Sequence, residues 1–179
     1  MSTNGSGKPE KAAGADLHQV LTFVLGNETY GVDILRVQEI RGWSAVTKIP
    51  HAPAHVLGVL NLRGSIVPIV DLRMRFALER AEYTAITVII VVSVISAAGR
   101  RDFGVVVDGV SDVVDVDAAE VKPAPDLGSR SATDFIRGLV PVADRMVVLL
   151  DIDRLISSEM TPVSGNLDQP DVAPAASAA

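Results

Sequence analysis

The stretch Gly58-Val59-Leu60-Asn61-Leu62-Arg63-Gly64-Ser65-Ile66-Val67-Pro68-Ile69-Val70-Asp71-Leu72-Arg73 can be laid without a gap on Gly138 to Asp153, at an offset of 80. Val67 then meets Val147, Ile69 meets Leu149, Val70 meets Leu150 and Asp71 meets Asp151. An earlier pair of segments aligns at an offset of 73. There Tyr30-Gly31 meets Phe103-Gly104, and Val37-Gln38-Glu39-Ile40 meets Val110-Ser111-Asp112-Val113. Both copies keep the same order. The second copy is longer in one place, a Pro- and Ser-containing loop around Lys122–Ala132. Such a pattern points to two similar subdomains of small-domain size.

Working outward, short Val/Ile/Leu-rich runs alternate with Gly, Pro, Asn and Asp along the chain. The pattern predicts strands over Gln19–Leu25, Thr29–Val32, Gln38–Trp43, Gly58–Leu62, Ser65–Asp71, Ile86–Ser96, Phe103–Val107, Val110–Val116, Ile136–Val142 and Arg145–Leu150. Hairpin tips are expected at Gly26-Asn27-Glu28, Arg63-Gly64 and Ala98-Gly99-Arg100. Short helical turns are expected after Asp33, Asp71 and Asp151, each placed to cap the first turn. Short strands with few helices imply an all-β fold of small barrels or sandwiches. Residues 1–16 and 160–179 lack periodicity and are expected to be flexible tails around one folded unit, 17–159.

Composition narrows the function. The 179 residues carry a net charge of −6, without the basic surplus of a nucleic-acid binder. No cysteine is present, which excludes disulfides, thiolate metal sites and a cysteine nucleophile. The apolar stretch Ala85–Ala98 is shorter than a membrane helix needs, about 18 residues, and its Val and Ile favour a buried strand. The start of the chain shows no apolar core of a secretory signal, so an intracellular protein is expected.

Candidate chemistry is sparse. Asp108, Asp112, Asp115 and Asp117 lie close together, but no nucleophile or matching base accompanies them. They are expected to be solvated strand and turn residues. His51 and His55 are spaced for a helical metal site, yet Pro50 and Pro53 interrupt the segment and no third ligand is near. No Gly-x-Ser-x-Gly elbow or phosphate-binding glycine loop occurs. Arg63 stands between two apolar runs at a tight turn. It is either a plain polar turn residue or an anchor for a partner's carboxylate. Val37–Trp43 alternates as a half-buried strand, with Gln38 or Glu39 and Arg41 near solvent. Trp43 is expected to pack. The residues favour a binding module over a small β-barrel enzyme or nucleotide binder.

The chain resembles the CheW family of bacterial chemotaxis coupling proteins. The resemblance spans Val20 to Met160. It rests on Tyr30–Leu35, Val37–Gly42, Ile49-Pro50, Gly58–Gly64 with Ile66–Arg73, Val106–Val110 and Gly138-Leu139 taken together. It implies two SH3-like five-stranded barrels around a shared core, intertwined and divided near residue 80, with terminal segments free to cross between them. It implies no catalysis and no cofactor or metal. It implies a cytoplasmic adaptor, recruited to membrane-bound arrays without entering the membrane. The partners it implies are the cytoplasmic tip of methyl-accepting chemoreceptors, in the groove between subdomains, and the regulatory domain of a CheA-type histidine autokinase, barrel to barrel. Glu39 and Arg63 match polar positions implicated in partner contacts, Val37 and Gly58 match positions near the same surfaces, and Val106 matches the strand expected to line the receptor groove. The partner of each residue stays open, as does weak self-association of barrel edges into rings. The same fold serving a non-motility sensory system is an open alternative.

Overall fold

The structure is a computed structural model, and it describes residues 16–79, 82–126 and 133–160. The expected tails therefore lie outside the described residues, apart from Asp16 and Met160. Ten strands form: β1 (Leu17–Leu25), β2 (Glu28–Asp33), β3 (Val37–Gly42), β4 (Val56–Leu62), β5 (Ser65–Asp71), β6 (Val88–Ser96), β7 (Gly99–Val107), β8 (Gly109–Asp117), β9 (Ile136–Val142) and β10 (Arg145–Leu150). Two α-helices, α1 (Leu72–Arg75) and α2 (Ile152–Met160), follow β5 and β10. Single 3-10 turns follow β2 (Ile34–Arg36) and β8 (Ala118–Glu120). The second of these turns has no counterpart in the sequence reading. Asp33, Asp71 and Asp151 accept backbone N–H groups at the starts of the turns they precede.

The strands form two five-stranded sheets, ordered β8-β1-β2-β10-β9 (barrel A) and β3-β6-β7-β5-β4 (barrel B). The two orders become identical when each strand of one sequence copy is replaced by its counterpart in the other. In each barrel one parallel pair joins the copies: β10 lies on β2 with Leu149 opposite Gly31, and β5 on β7 with Ile69 opposite Gly104. Both glycines are needed at this crossing. A Cβ on Gly31 would overlap Val20 Cγ1, and one on Gly104 would overlap Ile69 Cδ1. The boundary near residue 80 separates sequence copies and not barrels. Barrel B runs continuously from β3 to β7, while β1 and β2 leave their own copy to complete barrel A. One hairpin is displaced from expectation: Ser96 pairs with Gly99, so Ala97-Ala98 form the tip. The Ser96 hydroxyl fixes it by donating to Gly99 O and accepting from Ala98 N.

Three apolar cores follow from the alternation of side chains along each strand. Val20, Val116, Val140, Val147 and Leu149 fill barrel A. Val67, Ile69, Ile89, Val91 and Val106 fill barrel B. Between the barrels lies a larger core that includes Leu21, Phe23, Val70, Ile90, Val92, Val105, Leu150, Leu155 and Ile156. Strand β6 feeds barrel B with Ile89 and Val91 and the central core with Ile90 and Val92. Burial on both faces explains why this run is continuously apolar. Each fully buried Leu, Ile or Phe contributes about 1.5–3 kcal/mol.

Two ion pairs tie the barrels together at matching places in the repeat, with their charges exchanged. Arg73 on α1 grips Asp108, between β7 and β8, through Nε (2.6 Å) and Nη2 (2.5 Å). Asp153 on α2 receives Arg36, between β2 and β3, through Nη2 (2.7 Å) and Nη1 (3.3 Å). Each carboxylate also accepts a backbone N–H from the opposite barrel or its hairpin, Gly26 on Asp108 (2.7 Å) and Ile95 on Asp153 (2.8 Å). Burial pushes the Asp108 carboxyl up, but the hydrogen bonds from Arg73 and Gly26 and the Arg73 charge outweigh it and hold it below its usual 3.8. A carboxylate with a lowered folded-state pKa adds stability above its unfolded pKa, and that stability is lost as pH falls through the folded value. Asp108→Asn is therefore expected to lower the urea midpoint at neutral pH. The gap from the parent should close in acid below that ordinary value. A gap that stays constant with pH would contradict this role.

Candidate partner-binding surfaces

Glu39 and Arg63, 24 residues apart in sequence, are brought together by closure of barrel B. Strands β3 and β4 are the two ends of its sheet, and curvature places one beside the other. Arg63 sits at the β4–β5 turn with φ +53°, followed by Gly64 at φ +88°, a two-residue turn of the type that matches strand twist. Asn61 Oδ1 accepts the Gly64 N–H at 2.8 Å and holds the tip. The Arg63 side chain is 86% exposed, and its Nη2 lies 3.3 Å from Glu39 Oε2. Arg41 Nη1 lies 3.9 Å from the other Glu39 oxygen. Ile40 and Ile66 are exposed on the neighbouring strands. The result is a charge cluster in which a weakly held guanidinium projects into solvent, suited to capture a carboxylate.

The other three candidates sit deeper. Val37 opens β3 and packs half-buried against the central core. Gly58 is buried in β4 at φ +148°, and a Cβ there would overlap the carbonyl oxygen of Thr47. Thr47 and Val59 exchange two backbone hydrogen bonds at this point, 3.0 and 2.8 Å long. Gly58 thus lets the Thr47 segment cross the strand. Val106 is 3% exposed inside the core of barrel B. Along β7, alternation turns the Val106 side chain into the barrel, so it supports its strand from within.

A second surface lies between the barrels, where the resemblance implies a groove, and its lining residues were not singled out from sequence. Phe23, Tyr30, Phe76 and Phe135 stack in series with centroid separations of 5.9, 5.5 and 5.1 Å. Arg75 lies over the Phe135 ring at 5.7 Å. Tyr30, Phe76, Phe135 and Val148 line an open cleft there. Burial, with Glu28 nearby, pushes the Tyr30 hydroxyl up, so it stays protonated. The rings come from β1, β2, the end of α1 and the approach to β9, so only their coincidence in space marks the site.

The acidic run has structural work. Asp108 binds Arg73, Asp115 accepts from Gln19, and Asp117 caps Ala119. Among the described residues, no group of three or more His, Asp or Glu side chains is placed to hold a metal ion, His51 and His55 included. No helix among them is long and apolar enough to cross a membrane.

The CheW-like domain model matches residues 19–160. The chain belongs to the CheW family. It is 47% identical over 158 residues to the chemotaxis protein CheW of Klebsiella aerogenes, covering 88% of this chain and 93% of that one. It is 42% identical over 141 residues to the chemotaxis protein CheW of Rhizobium meliloti, covering 79% and 88%. Among solved structures it is similar to the scaffolding protein TtCheW of Thermoanaerobacter tengcongensis, with a TM-score of 0.70, 30% identity, and coverage of 78% and 92%. The family match spans both barrels, including the strands that exchange between them.

Proposed function

We propose that this chain is a non-enzymatic adaptor that couples chemoreceptor cytoplasmic tips to a CheA-type histidine autokinase in a chemotaxis array. The observation that carries the reading is family membership across the whole two-barrel unit, combined with two chemically different surfaces on one chain. One is the charged edge of barrel B at Glu39 and Arg63. The other is the aromatic cleft between barrels. An adaptor needs two such surfaces that can be occupied together.

The charged edge suits a folded partner of similar shape, the kinase regulatory domain, through the exposed Arg63. The cleft suits an amphipathic helix, which lays apolar side chains into a groove with a cation at its rim, here Arg75. The receptor tip is a helical partner of that kind. Contact of both at once would place a helix and a barrel on one scaffold without any chemical step.

Separate titrations with a receptor-tip fragment and with the kinase regulatory domain test the division. Phe135→Ala is expected to weaken the receptor fragment about tenfold, the loss of one well-packed aromatic contact. It should leave kinase-domain affinity unchanged, with folding checked by circular dichroism. Equal loss for both partners, or for neither, would remove the cleft from the receptor contact.

A further inference from the structure

The described residues of the two barrels differ at one end. In barrel B, Trp43 stacks on Tyr83 with ring centroids 4.0 Å apart, and Val46 and Leu57 pack beside them over the core. The matching positions in barrel A follow from strand register: Val114 opposes Val20 as Arg41 opposes Ile89. Trp43 thus corresponds to Val116, Leu57 to Arg137 and Val46 to Val121. Tyr83 would correspond to a residue before β1, where residues 1–15 contain no aromatic. Among the described residues no aromatic pair covers this end, and the mouth of barrel A holds a cavity of about 220 Å³.

The cavity floor is apolar, formed by Val20, Val116, Val121 and Leu149 beside Gly31. Its rim carries charges of both signs. Arg137 is exposed and makes no hydrogen bond or ion pair among the described residues. Asp33 uses Oδ1 to cap Leu35, and its Oδ2 makes no such contact. His18, also at the rim, lies 3.5 Å from Asp16. Beyond the rim Arg36 is already committed to Asp153.

We infer that the mouth of barrel A binds a free apolar α-amino acid. Its carboxylate would meet Arg137, its ammonium would meet Asp33, and its side chain would take the place that Trp43 and Tyr83 occupy in barrel B. The cavity of about 220 Å³ is deep enough to take a short side chain against its apolar floor. That matches a short branched residue such as leucine with its charged end at the rim.

The test is a titration of the full chain with leucine, followed through backbone amide resonances. Saturable shifts are expected at His18, Gly31 and Val116. Arg137→Gln, at an exposed position, should weaken binding by about tenfold or more. Asp33→Asn, which keeps an oxygen to cap Leu35, should weaken it similarly. Val116→Trp, which rebuilds part of the barrel B plug, should abolish it while the remaining resonances stay in place. The analogues 4-methylpentanoate, lacking the amine, and 3-methylbutylamine, lacking the carboxylate, should each bind more weakly than leucine. The inference is overturned by an absence of saturable shifts, by shifts that survive Arg137→Gln, or by equal affinity for leucine and 4-methylpentanoate.

Discussion

Arg63→Glu is expected to lower affinity for the kinase regulatory domain about 10- to 100-fold while leaving the thermal midpoint of the adaptor unchanged. The fold should be indifferent because the side chain is 86% exposed and its contact with Glu39 is 3.3 Å long. Exposed pairs of this kind add little to stability. The binding effect is larger because reversal acts twice. It removes the one cation projecting from the stiff β4–β5 turn, and it sets a second carboxylate beside Glu39 facing the incoming partner. Arg63→Lys separates charge from geometry: it retains the charge but loses the planar fork that grips a carboxylate. An intermediate affinity for Arg63→Lys is expected. If Arg63→Glu bound both kinase domain and receptor fragment as the parent does, the charged edge would not be an interface.

Gly58→Ala is expected to destabilise the fold by about 3 kcal/mol, lowering the thermal midpoint by about 10 °C. The new methyl meets the backbone carbonyl of Thr47, which has no flexible end to move aside, and φ +148° is strained for any side chain. Relief requires breaking the two hydrogen bonds between Thr47 and Val59. The repeat supplies a control. Gly138 occupies the matching place, and a Cβ there would lie 2.7 Å from Lys122 O, but its φ is not in the left-handed region. Gly138→Ala should therefore cost less. Any loss of partner binding by Gly58→Ala should track the folded fraction. A variant that melts like the parent yet fails to bind would make Gly58 a contact residue in its own right.

These two residues show what sequence reading reaches. The strands were legible because Val67–Val70 and Val147–Leu150 repeat one apolar rhythm, and Asp71 and Asp151 end both runs with a helix cap. Arg63 and Glu39 stood out singly as polar residues within apolar alternation. Their proximity did not, because it depends on barrel closure bringing β3 to β4. The exchange of β1 and β2 into barrel A was likewise hidden. Both copies contain the same set of strands, so local pattern alone cannot say which copy completes which barrel. The motif that carries Val106 marks a strand, while alternation along that strand turns this particular side chain inward. The aromatic cleft was invisible for a different reason. Tyr30, Phe76 and Phe135 share no spacing, and each alone is ordinary core material.

The adaptor reading is tested most directly by kinase autophosphorylation in the presence of receptor fragments, with and without this chain. A large increase that requires the chain, and that falls with both Arg63→Glu and Phe135→Ala, is the expected result. Unchanged autophosphorylation, with no binding to either the receptor fragment or the kinase regulatory domain, would contradict it.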